Sequence, residues 1–407
     1  MTHTILISSI TPFVRKFTLV WFLTALFMVA IGNLFPIRLP YLKSDLIAYK
    51  IATDLAVNGG NPYDPDTIKA EWTTRTGGTQ KDPLMVWNPP ILFLFPGTIL
   101  RLPETVLYRL WPLIPYFSGA ILTLIGCRLA GGANVSILSL VISILISIPL
   151  LIEFQISQLS SLLSLGPLLG VLLFLQRRDL LAGGLLSLAF LKPHIVFFPL
   201  AAIAFWTIRE LRWKVVAGGA LGILLGSITI ELLLPGITLK WINRSNWPTD
   251  VLGSVIPQML RSAAIGLGYQ DPIFLTVLIP FLGVLGLWLY LACKAPCPTI
   301  EPIIWTLALN QIFTPYGFIF DQATLLVVQA FVISKISDQV TRNRFLLAIF
   351  FANMTAPIIL TTTPEPLQRL WWVSYPITLI PILTAFMPAK AHPWTHNQQI
   401  STLSPPS

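Results

Sequence analysis

The stretch PIFLTVLIPFLGVLGLWLYLAC, residues 272–293, holds no charged side chain and is closed by Lys294. A run of about 18 or more apolar residues is long enough to cross the ~30 Å hydrocarbon layer of a bilayer as a helix. Working outward from it, comparable apolar runs occupy 17–36, 104–127, 135–152, 158–176, 179–191, 193–208, 215–234, 301–316, 321–337, 344–362 and 370–388, with most of the charges between them or near their ends. Together they predict about twelve crossings. Of the 407 residues 55% are hydrophobic and 11% charged, against about 25% charged in soluble domains. A transmembrane barrel needs ten-residue segments of alternating polarity, which this sequence lacks. The expected fold class is therefore all-α, a polytopic transmembrane helical protein with one domain over 1–388. A polar, proline-containing tail, 389–407, is expected to be disordered and cytoplasmic.

The net charge of +9 comes from basic residues scattered singly between apolar runs. That placement speaks for membrane orientation and against nucleic acid. The short apolar run 91–100 decides the parity. If it lies on the outer interface, Arg177, Arg178, Arg209, Arg212 and Lys214 fall in the cytoplasm with Arg128, Lys294, Lys335, Arg342 and Arg344, as the positive-inside rule requires. Both termini are then cytoplasmic, and 37–103 and 235–271 are the large outer loops. The run 17–36 follows Arg15 and Lys16 with no small-residue cleavage site after it, and reads as a retained signal anchor. The pair 179–191 and 193–208 is short for crossing at ~1.5 Å per residue. It reads as a hairpin whose tip, Lys192-Pro193-His194, stops below the outer surface. Cys127, Cys293 and Cys297 are expected as free thiols at cytoplasmic helix ends.

In the first outer loop, Asp45, Tyr49, Ala52 and Ala56 recur at helical spacing and predict an amphipathic helix over 45–57. The turn-rich stretch 58–66 ends it, and Trp87-Asn88-Pro89-Pro90 leads into the interfacial run. Asp45 is either a solvated helix-cap residue or a carboxylate that deprotonates a hydroxyl, a task favoured by partial burial. Lys192 either snorkels to the interface or meets a phosphate. His194 is structural or assists it. Gln155 and Gln158 either cap helix ends or bind polar groups of a ligand. Asp321 either favours a helix dipole or pairs with Lys192. In 235–271, Trp241, Asn243, Arg244, Trp247, Asp250, Gln258 and Arg261 mix aromatic and polar groups. That mixture suits an interfacial belt or a sugar-phosphate site. Asp64-Pro65-Asp66 has the spacing of a metal-binding acidic pair but lies in a turn, and no phosphate-cradling glycine loop occurs. No nucleotide-sugar donor, cofactor or metal is expected.

Asp45 with Tyr49, then Gly59-Gly60-Asn61-Pro62-Tyr63-Asp64, then Asn88-Pro89-Pro90 resembles the opening of glycosyltransferase family 87. These are polyprenyl-phosphate-sugar-dependent enzymes of the GT-C fold class, among them phosphatidylinositol mannoside mannosyltransferases. Ser157-Gln158 is similar to the family's Gly-Gln, with serine for glycine. Ala182-Gly183-Gly184, Leu191-Lys192-Pro193, Arg212-Trp213, and Thr314-Pro315-Tyr316 with Asp321 resemble later family segments. The resemblance covers roughly residues 10 to 340 and rests on order and spacing rather than on any single motif. It implies inverting transfer of a hexose, mannose favoured, from polyprenyl phosphate to a lipid or glycan acceptor on the outer face. Asp45 would be the general base. Lys192, His194, Gln158, Tyr49, Asn61, Tyr63, Asn88, Arg244, Arg261 and Asp321 would be the phosphate- and substrate-binding candidates. It also implies interfacial helices in the first outer loop. Rival readings are a transporter or flippase of lipid-linked sugars, and a polysaccharide polymerase or ligase.

Overall fold

The computed structural model describes residues 44–77, 86, 88–111, 113–131, 135–244, 255–270, 272–314, 317, 319–362 and 374–386, together with positions 19, 21 and 23. The anchor over 17–36, Trp87, Pro315, Tyr316, Trp247, Asp250, the side chain of Gln258 and the tail over 389–407 lie outside, or all but outside, this description. Every element among the described residues is helical. In chain order the α-helices are α1 (Ser44–Val57), α2 (Pro65–Thr76), α3 (Phe95–Leu100), α4 (Glu104–Leu110), α5 (Leu113–Leu129), α6 (Ile137–Leu145), α7 (Ile148–Ile156), α8 (Ser160–Leu175) and α9 (Asp179–Leu186). There follow α10 (Phe197–Arg209), α11 (Trp213–Leu233), α12 (Ile237–Ile242), α13 (Val255–Gly266), α14 (Leu275–Lys294), α15 (Ile300–Phe313), α16 (Leu325–Lys335), α17 (Gln339–Thr362) and α18 (Ser374–Phe386). Short 3₁₀ turns cover Pro90–Phe93, Ser187–Leu191, Pro193–Val196 and Ile319–Thr324.

Two helices, α11 and α14, are long and apolar enough to cross a membrane, and the bent pair α6–α7 makes a third if counted as one span. The remaining apolar helices are shorter. The run expected to cross over 135–152 is not one straight helix. The chain breaks between Leu145 and Ile148, bends by 55°, and continues to Ile156. Pro149 at the start of α7 explains the break, because proline cannot donate to the preceding turn. The N–H of Ile148, first residue of α7 and so without a partner inside that helix, is taken by Asn353 Oδ1 at 2.7 Å. The run 104–127 is likewise divided, into α4 and α5.

The α1 helix forms where expected, but it is not amphipathic. Asp45, Leu46, Ala48, Tyr49, Lys50, Ile51, Ala52, Thr53 and Ala56 are all buried, because α1 lies under α2, α3 and α7 rather than on a surface. The sequence assigned no helix to 65–76 itself, although the resemblance implies interfacial helices in this loop. Asp64 caps α2 by accepting from Thr67 N at 3.0 Å, with Pro65 at the first helical position. That arrangement is the ordinary start signal of a helix.

Close helix contacts come from small residues. A Cβ on Gly183 of α9 would collide with the Val215 carbonyl of α11, and one on Gly218 of α11 would collide with the Leu180 carbonyl. Glycine lets the two backbones touch, as small residues do at helix interfaces in membranes. Buried amides tie other helices together. Gln329 on α16 accepts from Ser143 Oγ of α6 at 3.2 Å and donates to the Tyr375 hydroxyl of α18 at 2.9 Å.

Two sets of turns gather at opposite ends of α11. Arg212 pairs with Asp179, and Arg177 pairs with Glu210, so the α8–α9 and α10–α11 turns are adjacent. At another place Lys240 Nζ donates to the carbonyls of Gly59 and Gly60, each at 2.9 Å. That bond joins α12 to the turn between α1 and α2. Among the cysteines Cys127 is buried, Cys293 and Cys297 are exposed, and all are free thiols.

Candidate functional site

The turn joining α7 to α8 collects the candidate residues. It begins at Ser157, whose φ of 63° is left-handed. This conformation favours glycine. The Ser157 carbonyl is held by Trp111 Nε1 at 2.9 Å. The next residue, Gln158, projects onto α1. Its Nε2 donates to Asp45 Oδ2, and its Oε1 accepts from the Tyr49 hydroxyl at 3.3 Å. Asp45 is thus no solvated cap. It is buried, with 5% of its surface exposed, and its carboxylate is aimed by an amide from a distant part of the chain.

Ser160 meets the second group. Its hydroxyl donates to Asp321 Oδ1 at 2.7 Å and is reached by Lys192 Nζ. Lys192 and Asp321 form an ion pair at 2.6 Å, both almost fully buried. His194 Nε2 lies 3.3 Å from Asp321 Oδ2. The His194 carbonyl accepts from Asn310 Nδ2 at 2.9 Å and Thr314 Oγ1 at 3.1 Å. Lys192 stands between two 3₁₀ turns, with φ −156° and ψ 73°, because Pro193 forbids a continuous helix through the hairpin tip.

A third chain of contacts runs to the same tip. Asn61 Oδ1 accepts from Tyr63 N at 3.1 Å, the Tyr63 hydroxyl donates to the Asn88 carbonyl at 3.1 Å, and Asn88 Nδ2 donates to the Leu191 carbonyl at 2.8 Å. Burial pushes the Tyr63 phenol above its ordinary range, and the Arg244 charge pulls the other way. Arg244 lies 4.7 Å from the Trp241 ring centre and donates to the Trp241 carbonyl at 2.8 Å. Arg261 is buried on α13.

The structure therefore brings Asp45, Tyr49 and Gln158 together, and Lys192, His194 and Asp321 together, with residues 158 and 160 as neighbours joining the sets. Asn61, Tyr63 and Asn88 brace the tip rather than point at either set. The sequence reading missed Ser160, Asn310 and Glu153. Glu153 was visible as a lone acid in an apolar run, whereas a serine and an asparagine inside such runs give no comparable signal. A separate apolar cavity of about 700 Å³ is lined by Phe198, Leu282, Gly286, Tyr290, Trp305 and Phe313, and by none of the candidate polar residues.

Fold and site define a class: an all-helical chain with exposed apolar helices of membrane-crossing length and a buried network of acid, amide and ammonium groups. No family model, no curated protein and no solved structure matches this chain. The reading that follows therefore rests on the resemblance seen in the sequence and on the geometry of this turn.

Proposed function

We propose that this chain is a polytopic membrane glycosyltransferase of about twelve crossings, taking a hexose from a polyprenyl-phosphate donor and passing it to a lipid or glycan hydroxyl on the outer face. The observation that carries the reading is the shared turn: Gln158 orients the Asp45 carboxylate, and Ser160, two positions on, touches the Lys192 ammonium. An inverting displacement asks for those two groups. Asp45 takes the proton of the acceptor hydroxyl as its oxygen attacks the anomeric carbon. The bond from that carbon to the phosphate oxygen breaks, and the leaving phosphate carries the electron pair towards Lys192. Asp321 and His194 hold the ammonium in place. The topology is supported by the separate gathering of the turns assigned to the cytoplasm, at Arg212–Asp179, and of the loops assigned outside, at Lys240.

The test is incubation of the purified protein in nanodiscs with a panel of polyprenyl-phosphate sugars, followed by mass spectrometry of the extracted lipids. Covalent transfer that disappears in Asp45→Asn is the expected result. Undiminished transfer by that variant rejects Asp45 as the base. A broken helix such as α6–α7 also suits a transporter of lipid-linked sugars. Movement of labelled lipid across liposomes without any new glycosidic bond would decide for that rival.

A further inference from the structure

Glu153, on the last turn of α7, is fully buried, and the mechanism above gives it no task. Its Oε1 accepts from both the backbone N–H and the hydroxyl of Ser161, each at 2.9 Å. Ser161 belongs to the first turn of α8, where backbone N–H groups have no partner inside the helix. Leu159, which precedes that helix, offers no side-chain oxygen to cap it. Glu153 therefore caps α8 from the preceding helix, its carboxyl lying at the positive end of the α8 dipole. Its backbone is engaged too, since the Glu153 carbonyl accepts from Gln158 N at 3.1 Å.

One residue thus grips the turn at both ends, through residue 158 by its backbone and residue 161 by its side chain. Between those holds lie the side chains that meet Asp45 and the Lys192–Asp321 pair. A serine or asparagine at 159 would have capped the helix without burying a carboxyl. Here Oε2 is buried with no hydrogen-bond partner among the described residues, a costly arrangement for a cap alone. The carboxyl also lies within electrostatic reach of Lys192 and Asp321.

We propose that Glu153 is a positioning residue of this site, fixing the turn so that Gln158 meets Asp45 while Ser160 meets Lys192 and Asp321. The inference rests on reading the site as a sugar-transfer centre, but its first test needs no turnover. The protein in nanodiscs is compared with Glu153→Gln, which keeps Oε1 as an acceptor, and Glu153→Leu, which does not. Hydrogen–deuterium exchange is expected to rise in peptides covering 157–163 in Glu153→Leu and to return to wild-type protection in Glu153→Gln. With a polyprenyl-phosphate mannose donor, Glu153→Leu should lose about a hundredfold in kcat, as misplaced catalytic groups do. The donor KM should stay nearly constant, and Glu153→Gln should recover most of the rate. Unchanged exchange in Glu153→Leu overturns the proposal, and so does exchange raised evenly through the protein in both variants. Local exchange rescued by Glu153→Gln upholds the fixing of the turn by Glu153, and absence of sugar transfer by the wild type would reject the sugar-transfer reading alone.

Discussion

Asp45 and Gln158 are 113 residues apart in the chain, and Ser160 and Asp321 are separated by 161. The candidacy of Asp45, Lys192 and Asp321 was legible because each is a charge at the edge of an apolar run. The pairing of Asp321 with Lys192 was one of two readings the sequence left open for Asp321, and the structure forms that pair. The rest of the grouping was not legible, because it is made by neutral side chains on one turn and by packing between remote helices. The roles proposed for these groups set two expectations. Asp45→Asn preserves shape and leaves Gln158 a partner, so insertion and thermal midpoint should stay near wild type. Transfer should fall by about 10²–10⁴-fold, the usual contribution of a general base, as read by initial rates with excess donor. Lys192→Met should do something different. It strands the buried Asp321 carboxylate, and removing one member of a buried pair costs about 3–5 kcal/mol. A lowered thermal midpoint in detergent is expected, with partial recovery in the double variant Lys192→Met, Asp321→Asn. A midpoint unmoved by the single change would show that the pair carries no such energy.

Among the elements, α1 and the apolar helices were legible from run length and helical spacing. The α2 helix was not placed from its own residues, although Asp64-Pro65 announces it, because the surrounding Gly, Pro and Asn residues argue for a turn. The break between α6 and α7 was equally hidden, since Pro149 lies inside a run that hydropathy alone reads as continuous. Two elements invite substitution. Ser157 adopts φ 63° at a cost of about 1–2 kcal/mol for a residue bearing a Cβ. Ser157→Gly should therefore raise the thermal midpoint while leaving the Trp111 contact intact, since that bond uses the Ser157 carbonyl. A fall in the midpoint would mean that the serine side chain contributes more than its backbone costs. The glycines separate by location. Gly183→Leu drives a side chain into the Val215 carbonyl, whereas a Cβ on Gly286 meets nothing within 4 Å. Size-exclusion profiles in mild detergent should show Gly183→Leu aggregating and Gly286→Leu eluting as wild type. Equal behaviour of the two would contradict the close α9–α11 packing.

At the scale of the whole molecule, the exposed surface carries the argument. Only 17% of the apolar window of α11 and 22% of that of α14 is buried. Leu224, Leu232, Val277, Phe281 and Leu289 are among the side chains left open. Contiguous apolar faces of this kind mark contact with lipid or with another protein, and in a chain this poor in charge, lipid is the simpler solvent. The crossing count then fixes which groups share a compartment, and native cysteines test it. Cys293, in the last turn of α14, and Cys297, just beyond it, are exposed, at an end assigned to the cytoplasm. Thr74 is exposed on α2, in a loop assigned outside. A membrane-impermeant maleimide should leave the native protein unlabelled in intact cells and label it in inverted vesicles. With Cys293 and Cys297 replaced by serine, Thr74→Cys should reverse that pattern. Labelling of both sites from one side would put α2 and the end of α14 in the same compartment. The proposed parity would then fail, and with it the outward placement of Asp45, because α1 and α2 pack together.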